Sequence, residues 1–95
     1  MRLVVTPLAE QDLEEIGDYI AQDNPDRAAS FVMDLQAQCR KICTNPGGYR
    51  RRPELSDELR SCAYGNYVIF FESTNDLVTI IRILHGARDL LAVFD

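Results

Sequence analysis

Two polar–proline pairs organise the first half of the chain. Thr6-Pro7 and Asn24-Pro25 each combine a helix-capping side chain with a proline suited to the first helical position. Apolar stripes at helical spacing follow them, namely Ala9, Leu13, Ile16 and Ile20, and then Ala28, Phe31, Val32, Leu35, Cys39 and Ile42. The breakers "QDNPDR" and "TNPGGY" end these two segments. Because the link between them is short, the pattern predicts an antiparallel helix hairpin.

Strand-forming residues dominate most of the rest. "RLVVT" at the start predicts a first strand, and "LRSCA", "YVIFFE" and "LVTIIRILH" predict a three-stranded antiparallel meander with turns at "YGN" and "STND". Simple alternation places Val78, Ile80, Arg82 and Leu84 on one face of the last strand, and Leu77, Thr79, Ile81, Ile83 and His85 on the other. One face packs against the hairpin, and the other is a candidate binding face.

These elements predict one α+β domain over residues 1–95. It has an N-terminal strand and an antiparallel helix hairpin packed on a small antiparallel sheet. A hydrophobic fraction of 46% is ordinary for a globular chain. No apolar run approaches the roughly 20 residues that a membrane-spanning helix needs, and the N-terminus turns acidic before a signal peptide could form. We therefore expect a soluble, cytoplasmic protein without a membrane partner.

Charge is distributed unevenly along the chain. The net charge is −5, which argues against unaided, sequence-specific binding of nucleic acid. Residues 1–48 hold eight acids against four bases, whereas residues 49–95 are nearly balanced. The bases of the second half are Arg50, Arg51, Arg52, Arg60, Arg82 and Arg88. The second half is therefore the more plausible docking surface for a target or an acidic partner.

Four side chains are candidates for binding a target or partner. Arg60 and Arg82 lie in otherwise apolar strands, where arginine must face solvent or pair with an acid. They could bind an anion together or be scattered surface residues. His85 and Arg88 follow in "RILHGARDL". His85 could activate Cys62 as a nucleophile, but a structural histidine at a strand end is the more ordinary interpretation. Arg88 and Asp89 favour an ion pair or a helix cap.

Cys39, Cys43 and Cys62 suggest no disulfide framework, because their number is odd. With His85 they could in principle bind zinc, but the usual C-x2-C spacing is absent, which favours packing in the core. No glycine-rich phosphate loop or serine nucleophile motif occurs. We assign no catalytic residue, metal or cofactor from the sequence.

Taken together, "LAEQDLEEIGDYIAQDNPDRAASFV", "LRSCAYGNYVIFFE" and "IIRILHGARDL" resemble the ParE branch of the RelE/ParE toxin superfamily over nearly the whole chain. The resemblance implies the same α+β fold. It also implies a non-enzymatic toxin that inhibits DNA gyrase and so blocks replication. Such toxins need no cofactor, serve in plasmid stabilisation and similar systems, and are neutralised by a ParD-like antitoxin in a hetero-oligomer.

The RelE-like branch gives the alternative, a ribosome-dependent mRNA endoribonuclease. Those enzymes surround the phosphate with basic side chains and need a group that moves protons. Arg60 and Arg82 match arginine positions shared across the superfamily. Val68, however, stands where RelE-like enzymes have arginine, and the C-terminal "LLAVFD" lacks the tyrosine of many members. These departures argue against ribonuclease activity. A third hypothesis is a degenerate member that binds an antitoxin without being toxic.

Overall fold

The structure, a computed structural model, describes residues 1–86 and 90–94. Its elements are β1 (Arg2–Val5), α1 (Pro7–Ala21), α2 (Pro25–Ile42), a short 3-10 turn (Pro46–Gly48), β2 (Arg50–Arg51), β3 (Arg60–Tyr64), β4 (Tyr67–Ser73), β5 (Leu77–His85) and α3 (Leu90–Phe94). The predicted α+β class is confirmed, with two helices packed on a sheet after an N-terminal strand. Within the described part of the chain, no helix has both the length and the apolar character needed to cross a membrane.

Both helices begin where the polar–proline pairs predict. The Thr6 hydroxyl accepts a hydrogen bond from the Ala9 N–H at 3.2 Å, and the Asn24 side chain accepts one from the Arg27 N–H at 3.1 Å. Proline occupies the first turn of each helix. The Thr6 hydroxyl also donates to the Ile81 carbonyl at 3.0 Å. This cap therefore attaches the start of α1 to the sheet as well as satisfying a free helical N–H.

The sheet is wider than predicted and mixed in direction. Its strand order is β1-β5-β4-β3-β2, with β3, β4 and β5 forming the predicted antiparallel meander. β1 runs parallel to β5, because the helix hairpin carries the chain across one face before the meander begins. The two-residue strand β2, which the sequence pattern did not predict, pairs with β3 and forms the other edge.

A β-bulge overturns part of the predicted face assignment. Phe70 lies opposite Arg82, whereas Phe71 lies opposite Ile80, so Ile81 is an extra residue in β5. Val78, Ile80 and Ile83 therefore share the core beneath the hairpin, while Ile81 and Leu84 pack on the opposite face. The prediction that Leu84 shares a face with Ile80 is wrong, because one inserted residue reverses the alternation that follows it.

The protein buries apolar side chains on both faces of the sheet. The larger core lies between the hairpin and the sheet and contains Leu35, Ile42 and Phe71, each with a relative exposure of 0%. On the opposite face, Leu59, Phe70 and Leu84 are buried beside side chains of α3. The Phe70 and Phe94 rings meet edge to face at 4.9 Å. The chain itself thus covers a substantial part of the face that the sequence offered as a binding surface.

Candidate functional site

Arg82, the central arginine of the predicted site, is held by an acid from α1. Asp12 is 4% exposed, and its carboxylate accepts hydrogen bonds from Arg82 Nε at 2.8 Å and Nη2 at 2.9 Å. It also accepts one from the Ile83 N–H at 2.9 Å. The hydrogen bonds to Asp12 raise the pKa of Arg82, although burial opposes this. Arg82 therefore joins α1 to the bulged strand, with one side of its guanidinium already occupied.

Asp12 is the site residue that the sequence interpretation missed. It stands three residues after Ala9 and one before Leu13, so helical geometry places it on the buried stripe. An acid on a buried helix face needs a hydrogen-bonded partner, and an arginine in an apolar strand needs solvent or an acceptor within the protein. The two unusual positions together were the available signal for the pair.

Arg60 is a second arginine with an internal partner. Its Nη1 donates to the Tyr49 carbonyl at 2.9 Å, and it lies directly opposite Arg51 in the pairing of β2 with β3. Phe71 lies opposite Arg60 on the other side, so Arg60 faces the helix side of the sheet. The idea that Arg60 and Arg82 hold one anion together gains no support, because each donates to a different group of the protein.

His85 lies at the exposed end of β5, beside an aromatic cleft. Its ring meets the ring of Tyr67, its cross-strand neighbour, edge to face at 5.4 Å. The cleft has a volume of about 720 Å³. It is lined by Tyr19, Ile20 and Arg27 of the hairpin, by Phe31 of α2, by Gly65, Asn66 and Tyr67 of the β3–β4 turn, and by His85.

The β3–β4 turn shapes one wall of this cleft. Gly65 has a φ of 57°, a conformation that favours glycine, and it allows the two-residue turn between Tyr64 and Tyr67. Phe31 packs against both tyrosines, with ring centroids 5.8 and 5.6 Å away. The turn therefore brings strand aromatics against a helix aromatic and leaves the cleft open between them.

The other wall combines an exposed aromatic ring with a cation. Tyr19 is 68% exposed. The Arg27 guanidinium lies 5.0 Å from the centre of the Phe31 ring and forms an ion pair with Asp34 at 3.2 Å. Aromatic faces with polar edges are suited to holding apolar or aromatic side chains of a partner protein. The cleft is therefore our candidate binding site.

The sequence also raised a Cys62–His85 nucleophile pair and a zinc site. Cys62 and His85 do not form a neighbouring pair, because β4 lies between their strands and Cys62 is opposite Ile69. The Cys62 sulfur instead accepts from Gln38 Nε2 at 3.3 Å. Among residues 1–86 and 90–94, no cluster of three or more histidine, cysteine or acidic side chains is arranged to hold a metal ion. Arg88, the last candidate, lies outside the described residues.

Burial makes the two innermost thiols poor nucleophiles. Cys39 is 2% exposed and Cys62 is 6% exposed. Burial, with help from the neighbouring Cys62 and Cys43, raises the pKa of Cys39 from 9.0 to about 11. Burial also raises the pKa of Cys62, against smaller lowering effects of Gln38 and Lys41. Both thiols are therefore almost fully protonated near neutral pH and belong to the core.

The fold and the cleft together define a small α+β domain, a helix hairpin over a mixed sheet with an aromatic cleft. Comparison with known families identifies it further. The model of the ParE toxin of the type II toxin–antitoxin system, parDE, matches residues 3–90. The chain belongs to the ParE toxin family.

Solved structures share this fold. A chain of the chromosomal ParDE toxin–antitoxin system from P. aeruginosa superposes with a TM-score of 0.77 at 23% sequence identity, covering 90% of this chain and 95% of that one. A chain of the toxin–antitoxin complex RelBE2 from Mycobacterium tuberculosis superposes with a TM-score of 0.61 at 20% identity, covering 88% and 95%. No curated protein matches the sequence significantly.

Proposed function

We propose that this toxin acts in the cytoplasm by binding DNA gyrase together with its DNA, so that cleaved DNA accumulates and replication stops. The observation that carries the proposal is the ParE family match over residues 3–90. The aromatic cleft supports it, because trapping a protein–DNA intermediate requires a complementary surface rather than proton transfer.

The arrangement of the basic side chains favours binding over catalysis. A ribonuclease needs cations around the scissile phosphate and a group that moves protons. Arg82 donates two hydrogen bonds to Asp12 instead. Val68, at the position where RelE-like enzymes have arginine, packs against the apolar cluster of Phe70 and Leu84. His85, the only histidine of the sequence, packs against Tyr67 at the cleft.

The same proposal includes a ParD-like antitoxin that binds across the hairpin. Leu8, Tyr19 and Met33 are 55%, 68% and 65% exposed on α1 and α2. Large apolar side chains that remain this exposed on two helices suit a segment that folds as it binds. Tyr19 also lines the cleft, so the antitoxin would cover the surface that contacts the target. Neutralisation then follows from competition for one surface.

Antitoxin binding can be tested at Tyr19. We expect Tyr19→Ala to weaken binding of the antitoxin encoded beside the toxin gene by about tenfold or more, because a contact ring of this kind contributes about 2 kcal/mol where it is a binding hot spot. Isothermal titration calorimetry measures the loss. Asn75→Ala, in the exposed β4–β5 turn, is the control and should bind as the unmodified toxin does. Equal antitoxin affinity of the unmodified toxin and both variants would show that Tyr19 lies outside the antitoxin interface.

Toxicity is tested by inducing the gene alone and following DNA and protein synthesis with labelled precursors. DNA synthesis should stop first, and co-expression of the antitoxin should restore growth. If protein synthesis stops first and mRNA is cut on the ribosome, the protein is an endoribonuclease of the RelE kind. If neither changes and growth continues, the protein is a degenerate member.

A further inference from the structure

The helix-side corner of the β2–β3 edge gathers three cations. Arg51 of β2 lies directly opposite Arg60 of β3, so both side chains project from the same face. Phe71, opposite Arg60, belongs to the core under the hairpin, so this is the face on which α2 packs. Gln38 of α2 donates to the sulfur of Cys62 on β3 at 3.3 Å, and Lys41, in the last turn of α2, follows Gln38 by three residues, so helical spacing places it on the same side of the helix. We call Lys41, Arg51 and Arg60 the basic corner.

The basic corner is electrostatically unfavourable without an anion. Like charges directly opposite each other in a sheet repel and destabilise the pairing. Arg51 and Arg60 each donate to a backbone carbonyl, of Asp57 and Tyr49 respectively. Within the described residues, no carboxylate forms an ion pair with any member of the corner. An external anion bound at the basic corner would therefore reduce the repulsion among its three cations.

The corner also stands out in the charge distribution of the whole chain. Residues 40–64 contain six basic and three acidic side chains, whereas the remainder contains four basic and twelve acidic ones. The basic segment includes the end of α2, β2 and β3, and thus surrounds the corner. A polyanion would therefore meet the protein at this edge, because the acidic remainder repels it.

A nucleic acid fits this edge better than an acidic peptide. Among the residues that the structure describes, the large exposed apolar side chains are Met1, Val4, Leu8, Tyr19 and Met33, and none lies between residues 40 and 64. A peptide that folds on binding needs apolar anchors, so it belongs on the hairpin rather than here. β2 has only two residues, both charged and exposed, and such an edge resists pairing with another strand. What remains is a set of side-chain charges suited to phosphate groups.

We propose that the basic corner binds the phosphate backbone of duplex DNA, without reading its sequence. This inference deepens the proposed function, on which it rests, because it assigns contact with the DNA of the gyrase–DNA intermediate to one edge of the toxin. The acidic remainder keeps the isolated protein weakly bound to DNA. Gyrase would supply the affinity by presenting the duplex beside the protein surface that the toxin contacts.

Fluorescence anisotropy of the full-length toxin with a labelled 20-bp duplex tests the inference without gyrase. Lysine or arginine on a phosphate releases counterions. The logarithm of the binding constant therefore falls linearly with the logarithm of the salt concentration, with a slope of about −0.9 for each phosphate contacted. We expect Arg51→Gln and Lys41→Gln each to weaken binding several-fold at low salt and to reduce that slope by about 1. The matched control is Arg2→Gln, which neutralises an exposed arginine on β1 at the opposite edge and should change affinity less than twofold.

Circular dichroism checks that each variant is folded. Arg51→Gln removes the repulsion with Arg60 but also the hydrogen bond to the Asp57 carbonyl, so its stability should stay close to that of the unmodified protein. The inference is overturned if the unmodified toxin does not bind the duplex at low salt, or if the three variants lose affinity equally. It is also overturned if a polyglutamate peptide binds the corner and the duplex does not. A toxin that traps gyrase but fails these tests retains the proposed function and loses only the DNA contact.

Discussion

At the scale of single residues, the structure shows Arg82 in an internal ion pair. The sequence offered it as a binding residue, and the structure gives its guanidinium a bidentate contact with the buried carboxylate of Asp12. Arg82 retains 18% exposure of its side chain and Asp12 retains 5%. Removing one partner from a pair this far from water leaves an uncompensated charge, which costs more than the pair contributes.

We therefore expect Asp12→Ala to lower the free energy of unfolding by about 3 kcal/mol, a large fraction of the stability of a small domain. Urea denaturation followed by circular dichroism measures it. Glu14→Ala, on the exposed side of the same helix, should change stability by less than about 0.5 kcal/mol. The double variant Asp12→Leu with Arg82→Met should recover part of the loss, since it removes both charges but leaves the Ile83 N–H without its acceptor. A fully stable Asp12→Ala protein would contradict a structural role for the pair.

Cys39 gives a prediction about pH. Burial raises its pKa to about 11 from an ordinary 9.0, so the unfolded chain loses this proton before the folded protein does. The stability contributed by the protonated thiol is fully present below about pH 9 and is lost as pH rises through about 11. Thermal melts between pH 8 and 11 should show a steeper loss of stability for the unmodified protein than for Cys39→Ala. If melting temperature falls with pH equally for the two proteins, burial does not keep the Cys39 thiol protonated.

At the scale of secondary-structure elements, Thr6 links a helix to a strand. Its hydroxyl caps α1 and donates to the Ile81 carbonyl at the bulge of β5. Thr6→Ala loses both hydrogen bonds and should cost about 1–2 kcal/mol of stability, whereas Thr6→Ser keeps the hydroxyl and should cost less. Chemical denaturation of the two variants compares them. Equal losses would mean that the methyl group, rather than the hydroxyl, stabilises this junction.

Local signals explain which elements the sequence could predict. The starts of both helices were predictable because a cap followed by proline acts within a single turn. The meander was predictable from strand-forming runs and turns. The bulge at Ile81 was not, since its register depends on how β4 and β5 meet, and no residue there marks it. The parallel pairing of β1 with β5 joins residues about 75 positions apart and follows from packing of the whole chain.

The candidate site was less predictable than the fold, because its residues are brought together by contacts between distant parts of the chain. His85 was singled out as the only histidine, and it does line the cleft. Tyr19 and Phe31 were not recognised, because a cleft between a helix hairpin and a strand turn forms only when distant elements pack together. Asp12 could have been found from its position on the apolar stripe, but its partner lies 70 positions away.

At the scale of the whole molecule, apolar and cationic surfaces are separated. The exposed apolar side chains of the hairpin lie in the acidic part of the sequence, whereas the basic corner lies at the β2–β3 edge. Separate surfaces of opposite character let one small domain contact a protein and a polyanion at once. The proposed target, a gyrase–DNA intermediate, would offer a protein surface and a polyanion side by side.

The most direct test of this account incubates the purified toxin with gyrase, ATP and supercoiled plasmid, then adds detergent and protease to reveal DNA that gyrase has cut. If the toxin traps gyrase on DNA, linear plasmid accumulates with increasing toxin, and adding the antitoxin beforehand prevents it. Intact plasmid at every toxin concentration, together with ribosome-dependent mRNA cuts that disappear in His85→Gln, would contradict it.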